Sequence, residues 1–112
     1  MPLSTLFEVP FDNDNEWKAW MLDHSLQHDT IYLKMASLGK PFIKFPLTDS
    51  KDPNDKDWMN NHQFEHEAIY TLLGLVGMPD LSSSDLDDKQ QWQDWQQTHQ
   101  DVHTYINNVL GI

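Results

Sequence analysis

Apolar side chains recur along three stretches of this chain at intervals of three and four residues, the period of a helix that buries one face. In the first stretch two histidines lie on that face, giving the series Trp17, Trp20, His24, His28, Ile31, Met35, Leu38. At about 100° per residue these positions fall within roughly 80° of arc, a narrow seam rather than a broad apolar face. The steps of 3, 4, 4, 3, 4 and 3 residues are close to those of helices that pack as coiled bundles.

The same seam occurs three times. The pattern W-x3-H-x3-H-x2-I is read at Trp20-His24-His28-Ile31, Trp58-His62-His66-Ile69 and Trp95-His99-His103-Ile106, with offsets of 38 and then 37 residues. These matches take up all six histidines of the chain. An upstream tryptophan precedes the first and third copies (Trp17, Trp92), where the second has Asp55. Each copy continues to an apolar residue (Met35, Leu73, Leu110) and closes on an apolar-glycine pair, Leu38-Gly39, Val76-Gly77 and Leu110-Gly111. Such glycines suit a helix C-terminus. Ahead of each helix stands a proline and then an acidic run ("DNDNE", "TDSKDPNDKD", "SSSDLDDK"), which suits helix caps and the positive end of the helix dipole.

Three such seams predict an all-α fold, a pseudo-threefold three-helix bundle with helices near 13–38, 54–76 and 86–110. One domain, 1–112, would comprise repeat units of approximately 1–39, 40–77 and 78–112 joined by extended, proline-containing arms and linkers. The linkers at 40–53 and 78–85 exceed the two to eight residues usual between antiparallel helices. At about 3.3 Å per residue the first spans roughly 45 Å, enough to return along a helix; the second would only just return. A parallel bundle is therefore feasible, stacking Trp, His, His and Ile level by level. An antiparallel second helix would also bring histidine pairs level. The stretch "KPFIKFPL" (40–47) is expected to lie along the bundle as a short strand or arm.

Composition narrows the function. A net charge of -11, with 18 acidic residues against 7 lysines and no arginine, leaves no bidentate grip for phosphate or guanine, so direct nucleic-acid binding is not expected. No apolar run approaches the ~20 residues of a membrane span, and "MPLSTLFEVPF" lacks the basic start of a secretory signal. A soluble, acidic, intracellularly made protein is expected. The absence of cysteine excludes disulfides and thiolate chemistry, while five tryptophans argue for a packed core in spite of a mean hydropathy of -0.66.

Two histidines at i and i+4 form a bidentate metal chelate. Converging, His24, His28, His62, His66, His99 and His103 would offer six imidazoles either to one octahedral ion or, as two layers of three, to two ions with open positions. Iron, nickel, cobalt and zinc suit such donors. The competing reading is a metal-free polar layer in which the imidazoles bond one another, water or backbone and fix the register. A catalytic ion usually has a carboxylate base beside it. Asp23, Asp29, Glu65, Glu67, Asp94 and Asp101 all fall off the histidine line, and there is no HExxH motif. A structural clip for a small domain is the expected role, and no catalytic or cofactor-binding residues are assigned.

Other motifs read as architecture. "DNDNE" has Trp17 where a calcium loop requires glycine, and fits helix capping. Ser82 to Ser84 suit a turn, the tryptophans suit core rather than a binding cage, and Tyr32 and Tyr70 are either donors behind the histidines or flank.

The repeated W-x3-H-x3-H helices and the ending "HTYINNVLGI" resemble small uncharacterised proteins encoded among the virion structural genes of tailed bacteriophages. The resemblance implies a virion component or assembly accessory with other virion proteins as partners, and supplies no catalytic residues. Contacts would come from arms at 1–12 and 40–47 through Phe7, Val9, Phe11, Phe42, Ile43 and Phe45. Two alternatives stand beside this: a metal-dependent enzyme or a metal- and oxygen-handling bundle using the six histidines, and an acidic, metal-free regulatory module that mimics nucleic acid.

Overall fold

The computed structural model describes residues 14–40, 56–81 and 88–112. The arms expected at 1–12 and 40–47, Lys40 apart, lie outside the described residues, as do most of the acidic leads, Ser82 to Ser84 and the side chain of Trp58. The described chain is an all-α three-helix bundle: α1 Asp14–Ser37, α2 Lys56–Leu73 and α3 Lys89–Leu110.

The helices form where the seams predicted them, and side-chain and glycine chemistry sets their ends. Asp88 caps α3, its carboxylate accepting from the backbone N–H groups of Gln90 and Gln91 at 2.9 and 3.2 Å. At the other end Gly111 turns left-handed (φ 73°) and Ile112 N–H donates to the Asn107 carbonyl at 3.0 Å, closing the last turn. The sequence places the end of α2 at Gly77; the structure places it at Gly74 instead. There φ is 73°, and Leu75 N–H donates to the Tyr70 carbonyl at 2.8 Å. Val76, expected at the helix end, is consequently off the seam and 84% exposed. Leu38, also placed on the seam, lies beyond α1 and is 51% exposed.

All three helices run in the same direction. Trp17 meets Trp92 at 6.0 Å between ring centroids and Trp20 meets Trp95 at 6.1 Å, so α1 and α3 start level. In α2, His62 lies beside His24 and His99, and His66 beside His28 and His103. Like positions share a layer, yet the helices have 24, 18 and 22 residues, so the regular threefold pattern of the sequence holds only for those layers.

A parallel neighbour requires the chain to travel back, and residues 74–81 do this after α2. Leu81 is buried, its N–H donating to Gln63 Oε1 at 2.7 Å, its carbonyl accepting from Trp95 Nε1 at 3.2 Å. Gln63 Nε2 also donates to the Pro79 carbonyl at 3.4 Å. The strap thus recovers ten residues of α2, about 15 Å at 1.5 Å per residue, well within the reach of an extended segment. The Gln63 side chain is the clasp.

Gln63→Ala leaves the buried Leu81 N–H without its acceptor, and is expected to cost about 1–3 kcal/mol of stability. Gln93→Ala, on the exposed face of α3, is expected to stay within about 0.5 kcal/mol of the parent. Reversible urea or thermal unfolding of the two variants checks this.

Candidate metal centre

The seam that makes each helix pack also carries its two histidines inward, four residues apart and one turn above each other. His24, His62 and His99 form one layer, with ring centroids 4.6–4.9 Å apart. His28, His66 and His103 form a second, with all three centroid separations at 4.9 Å. The Nε2 atoms are closer together than the rings: His24 to His28 2.8 Å, His24 to His103 3.1 Å, His24 to His62 3.3 Å, His62 to His66 2.8 Å, His62 to His99 2.9 Å and His66 to His99 3.2 Å. The rings therefore radiate from a common interior point, each presenting Nε2 inward. The six residues assigned from the sequence are brought together, and each is at most 2% exposed.

Aromatic and aliphatic layers seal the cluster from above and below. Trp17 stacks on Trp20 and Trp20 on His24, at 4.8 and 4.7 Å. Trp92 stacks on Trp95 and Trp95 on His99, at 5.4 and 5.1 Å. Beyond the second histidine layer lie Ile31, Ile69, Ile106, Met35 and Leu110, all buried. Trp17, Trp20, Trp92 and Trp95 are accordingly core, as their spacing indicated, and not a solvent-facing cage.

Such a site disfavours charge on the rings. Burial lowers the pKa of His24, His62, His66, His99 and His103 well below 6.5, and the neighbouring imidazoles lower it further. These five histidines are held toward the neutral form, in which Nε2 has a lone pair for an ion.

Glu65 is the functional residue that seam spacing missed. It lies off the histidine line, as the sequence indicated, but it is only 1% exposed, and its Oε1 lies 2.6 Å from His28 Nδ1 across the α1–α2 boundary. The approach is out of line with a regular hydrogen bond, so the contact is chiefly electrostatic. A carboxylate there favours the proton on Nδ1 and leaves the Nε2 lone pair directed inward, the carboxylate–histidine arrangement that supports metal ligands. Tyr32 is the next member: it lies beside His28, with ring centroids 6.1 Å apart, and its phenol pKa is pushed upward by burial first and then by the charge of Glu65. Of the two tyrosines considered as donors, Tyr32 stands behind a histidine, while Tyr70 packs edge-on against Tyr105 at 5.8 Å. The signal for Glu65 was its place one residue before His66, which turns it toward a neighbouring helix.

The other carboxylates behave as surface groups. Asp23, Glu67, Asp94 and Asp101 each accept from a glutamine one turn away on their own helix. Among the described residues, two histidine quartets have the spacing to hold a metal ion, His24-His62-His66-His99 and His24-His28-His66-His103, with ligand atoms within 4.8 Å of one another. Both contain His24 and His66, and together they include all six.

No protein family, curated protein or solved structure matches the chain. Among the described residues no helix is long and apolar enough to cross a membrane.

The depressed histidine pKa values fix the sign of the pH response of the metal-free protein. Above about pH 6.5 folded and unfolded chains both hold neutral imidazoles, and the stabilisation is complete. Below it the unfolded chain takes up protons that the folded core refuses, and stability falls by about 1.4 kcal/mol per pH unit for each such histidine. The melting temperature is expected to drop steeply between pH 6.5 and 5. A proton uptake on unfolding of several per molecule, read from the slope of stability against pH, checks it.

Proposed function

We propose that this chain is a non-enzymatic structural or interaction protein whose histidine core binds a transition metal as an internal clip, and that it serves as a virion component or assembly accessory of a tailed phage. The observation that carries the clip is the convergence of six Nε2 atoms at 2.8–3.3 Å inside a sealed core, backed by the Glu65 carboxylate on His28. Like-facing lone pairs at that distance repel one another unless a proton or a cation lies between them, and a divalent ion serves all of them at once. The non-enzymatic part rests on burial: a substrate would find no histidine more than 2% exposed, and the one buried carboxylate among the described residues faces Nδ1 rather than the interior. The phage assignment rests on the W-x3-H-x3-H helices and the ending "HTYINNVLGI".

Exposed apolar residues support a role in contacts. Leu22, Leu26 and Leu33 are 65%, 57% and 72% exposed, and their spacing of four and seven residues puts them on one side of α1. A small acidic domain with such a stripe has a surface suited to a larger assembly.

The test is elemental analysis of the full chain expressed without a histidine tag and purified without metal resin. Near-stoichiometric metal is expected. Its removal, or His62→Ala, is expected to lower occupancy and the melting temperature by more than about 10 °C, the scale of about 4 kcal/mol for an ion present a thousandfold above its dissociation constant. Metal-free protein whose stability is indifferent to added metal would sink the clip.

Glu65→Ala is expected to weaken metal affinity by about 10–100-fold, and Glu67→Ala, at an exposed site, to leave it unchanged. Competition with a chromogenic chelator measures both.

A further inference from the structure

The coordination number is written in the edges of the histidine cluster. We propose that one ion, and not two, is bound by all six Nε2 atoms as a trigonal antiprism, a site that selects octahedral ions of the nickel(II), cobalt(II) and iron(II) class over zinc(II). This deepens the metal-centre reading above and rests on it.

The two layers of three histidines have rings that interleave. His24 is close to His28 and His103 in the other layer, at 4.3 and 4.9 Å between centroids, but 6.0 Å from His66. His99 is close to His103 and His66, at 4.5 and 5.1 Å. Each of these first-layer rings has two near neighbours below, and for His24 the third is farther off, the relation of an octahedron viewed down its threefold axis. His62 is near His66 at 4.4 Å, whereas its second such neighbour, His28, stands off at 6.5 Å. One edge of the polyhedron is therefore splayed, on the α1–α2 side where Glu65 meets His28.

Distances then separate the alternatives. Octahedral neighbours are √2 times the metal–nitrogen distance apart, so a bond of about 2.0–2.1 Å requires about 2.8–3.0 Å between nitrogens. A tetrahedral quartet requires about 3.3–3.4 Å for every pair. The six short Nε2 separations run from 2.8 to 3.3 Å, and three of them are below 3.0 Å. All six join octahedral neighbours; none joins an opposed pair.

Two ions, one per layer, are excluded by the same edges. Separations between layers (2.8, 2.8, 3.1 and 3.2 Å) match those within the first layer (2.9 and 3.3 Å). Triangles so joined lie about 2.4 Å apart, well short of the roughly 3.5–4 Å between the ions of two-metal sites. The two quartets share His24 and His66, so the position between those two rings is the one common to both. Six neutral nitrogens in that geometry suit ions that favour octahedral coordination, and a site shaped in this way works against zinc(II), which favours four ligands.

Cobalt(II) titrated into the metal-free, untagged full chain decides the matter, because its visible spectrum reports coordination number. The expected result is one cobalt per chain with the weak, pale absorption of a six-coordinate ion. In competition dialysis, nickel(II) is expected to be retained about tenfold or more over zinc(II). His103→Ala removes one vertex while leaving the other five ligands; one cobalt with stronger absorption and lower affinity is expected. An intense blue four-coordinate spectrum, two cobalt ions per chain or preference for zinc(II) would overturn the single octahedral site while leaving a metal centre in place. No cobalt uptake at all would overturn the metal-centre reading itself.

Discussion

The structure depends on holding six imidazoles at close quarters, five of them pushed by burial and by one another toward the neutral form. Their inward nitrogens lie 2.8–3.3 Å apart, in van der Waals contact or closer, and a proton added to any of those five rings would place a positive charge in a sealed core beside its neighbours. Everything around the cluster serves this condition. The tryptophan stacks close one end, the isoleucine layer closes the other, and one carboxylate faces the outer nitrogen of the ring it touches. In an ordinary bundle the core positions hold leucine and the packing is the whole of the stability. Here the central turns of the seam are polar, so stability also depends on how the imidazole nitrogens are satisfied.

Parallel helices follow from the same condition. Bringing His24, His62 and His99 to one level, and His28, His66 and His103 to the next, lets the pairs interleave around one point. The cost is long connections, because each helix must be followed by a return journey. After α2 that journey is fixed by Gln63, Leu81 and Trp95, a clasp of side-chain and backbone hydrogen bonds next to the first histidine layer. The clasp and the cluster therefore share neighbours: Gln63 follows His62 in sequence, and Trp95 stacks on His99.

Much of this was legible in the residues. The repeat located three helices and set all six histidines on seams, because a period near 3.6 with apolar neighbours leaves few other places for them. It did not fix direction, since Trp-His-His-Ile reads nearly alike both ways, and direction was decided by which histidines share a level. It misplaced the end of α2 because two glycines, Gly74 and Gly77, compete there; both adopt positive φ, and the hydrogen bond from Leu75 to Tyr70 selects the earlier. With Gly74 as the stop, the second and third units each place their glycine eight residues after the second histidine, a match that the apolar-glycine pairs concealed. Glu65 was passed over for a different reason. Periodicity within one helix identifies what faces the bundle axis, whereas Glu65 is defined by the helix beside it.

The aromatic stacks make the centre optically self-reporting. Trp20 lies 4.7 Å from the ring of His24 at an interplanar angle of 12°, and Trp95 lies 5.1 Å from His99 at 23°. Two indoles on different helices are thus in face contact with two imidazoles of one layer, and each indole is stacked in turn on a second. Any change of electronic state at those imidazoles is felt first by these tryptophans, before it reaches the surface of the domain. Emission from these two indoles therefore answers to the histidine layer they touch, and a change of protonation or packing in that layer is read from inside the domain.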